Sequence, residues 1–238
     1  MRYLLPLLLL SVLISCKNNA ERENIEKSAS EEIANTANDS LIYPEEKHFK
    51  SIRQITFGGD NAEAYWSFND KQIVFQSNNA EWGLNCDQMF IMNIDETFED
   101  KKPPMISTGM GRTTCAYFLP DNKHIVYAST HLADENCPEV PLRKNGKYVW
   151  PVYDSFDIFV ADLEGNITAQ LTNEPGYDAE ATVSPKGDKI VFTSTRSGDL
   201  ELYTMNLDGS GVKQITNELG YDGGAFFSPD GTKLIFRS

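Results

Sequence analysis

The side chains best equipped for chemistry in this chain are carboxylates that recur at fixed intervals. Asp178 and Asp222 lie 44 residues apart, each after Gly-Tyr, and Glu180 follows the first of them. Asp60 and Glu63 occupy a corresponding stretch nearer the start. Held on one surface, Asp60, Glu63, Asp178, Glu180 and Asp222 would focus a negative field able to attract a basic peptide or a divalent cation. The same aspartates could equally cap loops by accepting backbone N–H bonds. A second candidate is the stretch 130–155, THLADENCPEVPLRKNGKYVWPVYDS. Its Tyr148, Trp150 and Tyr153 suit a protein or glycan partner. They could also fold back and seal a core.

Other chemistry is poorly supplied. Three cysteines follow Cys16, namely Cys86, Cys115 and Cys137, so one disulfide can form in an oxidising compartment. An odd number leaves the pair open, and Cys86 with Cys115 is the expected one. Zinc is disfavoured because there is no CxxC spacing and only three His are present. No GxSxG, HExxH, P-loop or dinucleotide glycine pattern occurs, so no catalytic residue, metal or cofactor is expected. The balance of 35 acids against 21 bases, net charge -14, argues against a duplex nucleic-acid partner and against charge-driven adhesion to anionic membranes. With 40% hydrophobic and 24% charged residues, the composition is that of a globular protein.

The opening residues read as an address. Arg2 precedes the apolar run Leu4 to Ile14, which is too short to span a bilayer as an ordinary helix. The run ends Leu13-Ile14-Ser15-Cys16, which resembles a bacterial lipobox, so residues 1–16 are expected to be a lipoprotein signal and Cys16 the lipidated residue. Acylation would anchor the chain without a spanning helix. Lys17 in place of Asp favours, by analogy with lipoprotein sorting, the outer membrane facing the periplasm. Residues 17–48 are polar and acid-rich, and read as a tether able to reach about 30 Å.

From residue 49 the chain repeats itself. Residues 170–192 (QLTNEPGYDAEATVSPKGDKIVF) and 214–236 (QITNELGYDGGAFFSPDGTKLIF) align at an offset of 44. Diverged copies run through Ala64-Tyr65-Trp66-Ser67-Phe68-Asn69-Asp70 to Ile73-Val74-Phe75, and through Ala116-Tyr117-Phe118-Leu119-Pro120-Asp121-Asn122 to Ile125-Val126-Tyr127. Each copy has a short apolar strand, a Ser-Pro-x-Gly type turn and further β-rich runs, with no helical periodicity. Four short strands per unit predict an all-β fold, a β-propeller of four-stranded blades. The runs Val183-Ser184-Pro185-Lys186-Gly187 and Phe227-Ser228-Pro229-Asp230-Gly231 resemble the WD40-like repeats of TolB-type β-propellers. The resemblance covers roughly residues 50–238.

The expected strands of blade one are 64–68, 72–77, 88–94 and 104–108. Those of blade two are 115–119, 123–129, 156–163 and 167–172, and those of blade three 180–184, 189–194, 200–206 and 212–216. Blade four has only 224–228 and 233–238. An upstream strand, Ser51 to Phe57, is of the type that closes a ring on the third strand of the last blade. About three and a half blades make an incomplete ring, read as an N-terminal fragment of a larger one, six-bladed if like TolB. Strand parity places the acids and the 130–155 insertion on one face, with the acids ringing the channel mouth.

The resemblance implies a non-catalytic envelope protein that binds a protein or peptide partner. Two alternatives are an enzyme's propeller, as in prolyl-oligopeptidase-type serine peptidases, and a metal-using polysaccharide lyase-like propeller.

Overall fold

A computed structural model describes residues 41–99, 101–140, 146 and 150–238. Residues Ile55–Ser238 form one compact unit. The expected signal at 1–16, with Cys16, and most of the tether lie outside the described residues.

Among the described residues the regular structure of the compact unit is β-strand, with a 3-10 turn at Ala80–Trp82. Blade one is β1 (Asp60–Trp66), β2 (Gln72–Asn78) and β3 (Gln88–Asn93). Blade two is β4 (Thr113–Phe118), β5 (His124–Ser129), β6 (Asp157–Asp162) and β7 (Ile167–Gln170). Blade three is β8 (Asp178–Val183), β9 (Ile190–Ser194), β10 (Glu201–Met205) and β11 (Lys213–Gln214). The last unit is the two-stranded β12 (Gly223–Phe227) and β13 (Leu234–Arg237). Every pair of neighbours within a sheet is antiparallel. The first strands line up side by side, β1 against β4, β4 against β8 and β8 against β12.

Alternation along the middle strands divides each blade between two cores. Ile125 and Tyr127 of β5 pack with Val74, Met89 and Phe118 between blades one and two. Val126 and Ala128, the intervening residues, pack with Phe192, Tyr203 and Met205 between blades two and three. Middle strands therefore read as continuous apolar runs, because both of their faces are covered. The outermost strands β7 and β11 have one neighbour each and are exposed throughout.

The turns follow the sequence. Gly187 takes φ +69° and Gly231 +64°, closing Ser184 and Ser228 turns with N–H bonds of 2.8 and 2.7 Å. In the diverged copies Asp70 and Asn122 hold that left-handed position, which short polar side chains tolerate best after glycine.

One expected strand is not formed at a blade edge. Residues 104–108 form only a bridge, Phe90 with Met105, because Pro103 and Pro104 have no N–H to donate to a ladder. Ser51 to Phe57 is not a regular strand here; Thr56 forms an isolated parallel bridge with Phe98, whose N–H donates to the Ile55 carbonyl at 3.1 Å.

Candidate functional site: the axial cavity

One device recurs in all four innermost strands. The ladder slips between Ala62 and Tyr65, Thr114 and Tyr117, Ala179 and Thr182, and Gly223 and Phe226. At each slip one residue is left-handed: Glu63 (φ +50°), Cys115 (+52°), Glu180 (+58°) and Gly224 (+60°). Three of these are not glycine, a conformation that costs on the order of 1 kcal/mol each and that surrounding structure must hold. A bulge re-aims its side chain, and these bulges point at one axial cavity.

That cavity measures about 700 Å³. Glu63, Cys115 and Glu180 line it, together with Trp150, Tyr177, Leu200, Tyr221 and Arg237. Glu180 is the best anchored of its polar groups. It accepts bonds from Thr193 Oγ1 at 2.7 Å, from Tyr221 OH at 2.9 Å and from the Gly224 N–H at 2.9 Å. It thereby ties blade three to the β12–β13 unit. Glu63 accepts only from the Tyr65 hydroxyl among the described residues. Arg237 stacks over the Tyr221 ring at 5.3 Å and donates to its hydroxyl at 3.3 Å. Burial, then the charges of Glu63 and Glu180, push the Cys115 thiol far up, so it stays protonated and a poor nucleophile. Burial chiefly also raises the Tyr65, Tyr177 and Tyr221 phenols, which remain hydroxyl donors.

The expected acidic ring is only partly assembled. Glu63 and Glu180 line the cavity, but Asp60, Asp178 and Asp222 do not. Asp178 pairs with Ser194, whereas Asp60 pairs with Asn78; it is Asn61, opposite Ser77, that holds the Asp178 position. Asp60 ends exposed, and so does Asn61: every residue of β1 except Tyr65 is exposed, so the burial of Asp178 has no counterpart in blade one. Asp178 and Asp222, each about 3% exposed or less, turn into the junctions between blades. Asp178 is there paired with Arg196 at 2.8 Å.

Of the insertion's aromatics, Trp150 lines the cavity while 52% exposed. Tyr153 packs on Phe156 and donates to the Glu139 carbonyl at 2.8 Å, so it covers the core. Tyr148 lies outside the described residues. The disulfide joins Cys86 to Cys137, not to Cys115, across a Cα separation of 5.9 Å. It ties the insertion to the β2–β3 loop of blade one, while the bulge commits Cys115 to the axis. Among the described residues no group of three His, Cys, Asp or Glu side chains is placed to hold a metal.

From the sequence Cys115 stands out only as a disulfide candidate, and Tyr177, Tyr221 and Arg237 do not stand out as site residues. The signal was present in part: Cys115 aligns with Glu180, and Tyr177 with Tyr221, once the repeats are superposed.

Residues 149–238 match the family model described as TolB beta propeller domain. Among solved structures, TolB from Acinetobacter baumannii is 20% identical with a TM-score of 0.52, covering 75% of this chain and 37% of that one. A putative TolB from Agrobacterium tumefaciens is 17% identical with a TM-score of 0.50, covering 75% and 69%. A puromycin-hydrolyzing peptidase of Mycobacterium tuberculosis is 12% identical with a TM-score of 0.50, covering 79% and 30%. The chain thus spans little more than a third of the first of these proteins, and the likeness is one of fold: a TolB-like β-propeller.

Proposed function

From the premise of a TolB-like propeller, we propose that this protein is a non-catalytic, exported lipoprotein that binds a protein or peptide partner at its axial cavity. The observation that carries the reading is the cavity of about 700 Å³, walled by Trp150, Tyr177 and Tyr221 and polar at Glu63 and Arg237. Aromatic walls with a few placed charges suit an inserted peptide segment, whose apolar atoms are buried while its polar ends are oriented. Anchoring through Cys16 would hold the propeller in the periplasm at the outer membrane, where the TolB likeness points to partners among envelope proteins.

The test is site-specific photocrosslinking in cells. A photoreactive residue at Trp150 or Val152 should yield a discrete adduct that Glu63→Gln weakens. The same residue on the rim strand β7, at Thr168, should not. Equal adducts at both positions would reject the cavity as the binding site. Cys16→Ser should release the protein from the membrane fraction; retention there would reject the anchor.

The peptidase likeness favours a second reading, a propeller that serves a hydrolase. Labelling of the cell-expressed protein by a fluorophosphonate would support it, and absence of label would leave the binding role as the better account.

A further inference from the structure

One wall of the axial cavity has little structure of its own. Residues 150–153 belong to no strand, so no ladder of backbone bonds holds them. Yet Trp150 and Val152 line the cavity. Trp150, Pro151 and Tyr153 also lie over the junction between blades one and two, where Arg112 pairs with Asp87, the residue after Cys86. This stretch must be held from outside itself.

Its contacts show what holds it. The Trp150 indole bonds the Tyr177 hydroxyl. Tyr153 packs on Phe156 and donates to the Glu139 carbonyl at 2.8 Å. Glu139 is in a loop as well, two residues past Cys137. At the root of that loop His131 is buried against Phe159, ring centroids 4.5 Å apart, and burial pushes its imidazole below the ordinary value. Further on, the Gly111 N–H donates to the Glu135 carbonyl at 2.8 Å. The Cys86–Cys137 disulfide then ties the loop to blade one. The path from that bond to the cavity wall is short: Cys137, the Glu139 carbonyl, the Tyr153 hydroxyl, Trp150.

The two sulfurs differ in access. Cys86 is 4% exposed, while Cys137 is half-buried. Cys86 Sγ lies 3.0 Å from the Gly111 carbonyl oxygen, an acceptor already in place for a thiol. A reductant therefore meets Cys137 first, and a thiol formed at Cys86 has a partner without rearrangement.

We propose that the Cys86–Cys137 disulfide is a redox-sensitive latch on the cavity wall. Oxidised, it holds Glu139 where Tyr153 can bond it; reduced, it frees residues 150–153. The reductant is a dithiol. One of its thiolates attacks Cys137 Sγ, and the S–S electron pair passes to Cys86 Sγ, which takes up a proton. The second thiolate then displaces Cys137 from the mixed disulfide, and Cys137 Sγ takes up a proton in turn. The products are two cysteine thiols and the reductant as a disulfide. Without the cross-link, loop contacts alone must offset the entropy of ordering residues 137–139. That the oxidised chain is the form that captures a partner rests on the binding role proposed for the cavity; the loosening of the wall does not.

Hydrogen–deuterium exchange of the purified chain, before and after dithiothreitol, reads the latch directly. Reduction of the folded protein should make both Cys86 and Cys137 available to alkylation, measured by mass. Exchange across residues 150–156 should then rise about fivefold, the equivalent of one lost hydrogen bond, while β9 stays unchanged. Tyr153→Phe should raise exchange there similarly in the oxidised chain, and the double variant Cys86→Ser with Cys137→Ser should match the reduced protein. Three results would overturn the proposal: a disulfide that dithiothreitol leaves intact in the folded chain, unchanged exchange at 150–156 once it is reduced, or a rise shared equally by β9. In cells the double variant should lose the photocrosslink at Val152, and an undiminished adduct would break the link between latch and binding. A wild-type chain with no adduct would count against the cavity as a binding site alone, because the exchange measurement needs no partner.

Discussion

Blade three and the β12–β13 unit share sequence and differ in surroundings. Ile190, Val191 and Phe192 are fully buried, while their counterparts Leu234, Ile235 and Phe236 are partly or largely exposed. Asp178 meets Arg196, while Asp222 meets no cation among the described residues. The same residue types are core in one place and surface in the other. The apolar pattern of a propeller strand thus records what a neighbouring strand and blade would cover, and burial itself comes only from that neighbour. A repeat in this fold cannot bury both faces alone.

Variants at paired positions would sharpen this contrast. The largest effect is expected from Phe192→Ala, which opens a cavity in the core between blades two and three and should cost about 3–5 kcal/mol in denaturant unfolding. Phe236→Ala should cost about 1 kcal/mol or less, because much of that ring is already in water. Similar losses at both sites would break the comparison.

Next in size is the ion pair. Arg196→Met leaves Asp178 buried and uncompensated and should cost about 3 kcal/mol. Asp222→Asn removes a buried charge with no ion-pair partner among the described residues and should be neutral or stabilising by about 1 kcal/mol. A large loss from Asp222→Asn would show that this carboxylate already has a cation.

A smaller effect comes from His131. Burial lowers its folded pKa, so the unfolded chain takes up the proton first. Stability from the neutral ring is complete above about pH 6.5 and is lost as pH falls through the folded value. The Tm should therefore drop on acidification below about pH 6.5, and His131→Gln should remove that part of the drop.

The smallest effect separates the two Ser-Pro turns. Asp230 accepts bonds from Ser228 and Thr232 hydroxyls, which hold its carboxyl down at about 2; blade three has Lys186 there. Any stability it gives is present above about pH 4 and is lost as pH falls through the folded value. Asp230→Ala should thus lower Tm slightly at neutral pH and not at pH 2, whereas Lys186→Ala should show no such dependence.

The repeat made much of the fold legible. The near-identical units 170–192 and 214–236 place β8, β9, β12 and β13 within one or two residues of the expected spans. The Ser-Pro-x-Gly turns required left-handed residues, which Gly187 and Gly231 supply and Asp70 and Asn122 replace. The site was less legible. Asp60 and Asp178 look equivalent by residue type, yet a shift of one residue in pairing puts Asn61 in the Asp178 position. The bulges at Glu63, Cys115 and Glu180 have no signature of their own, since none of them is a glycine. The disulfide required knowing that a bulge turns Cys115 to the axis.

By itself, then, the sequence determined the strands, their turns and their arrangement as radiating blades, because alternation and turn chemistry act over a few neighbouring residues. Only the tertiary structure decided which acids face the cavity, which are buried with a cation and which without. Those outcomes depend on ladder register and on blades packed from residues 40 or more positions apart, where a shift of a single place exchanges core for solvent.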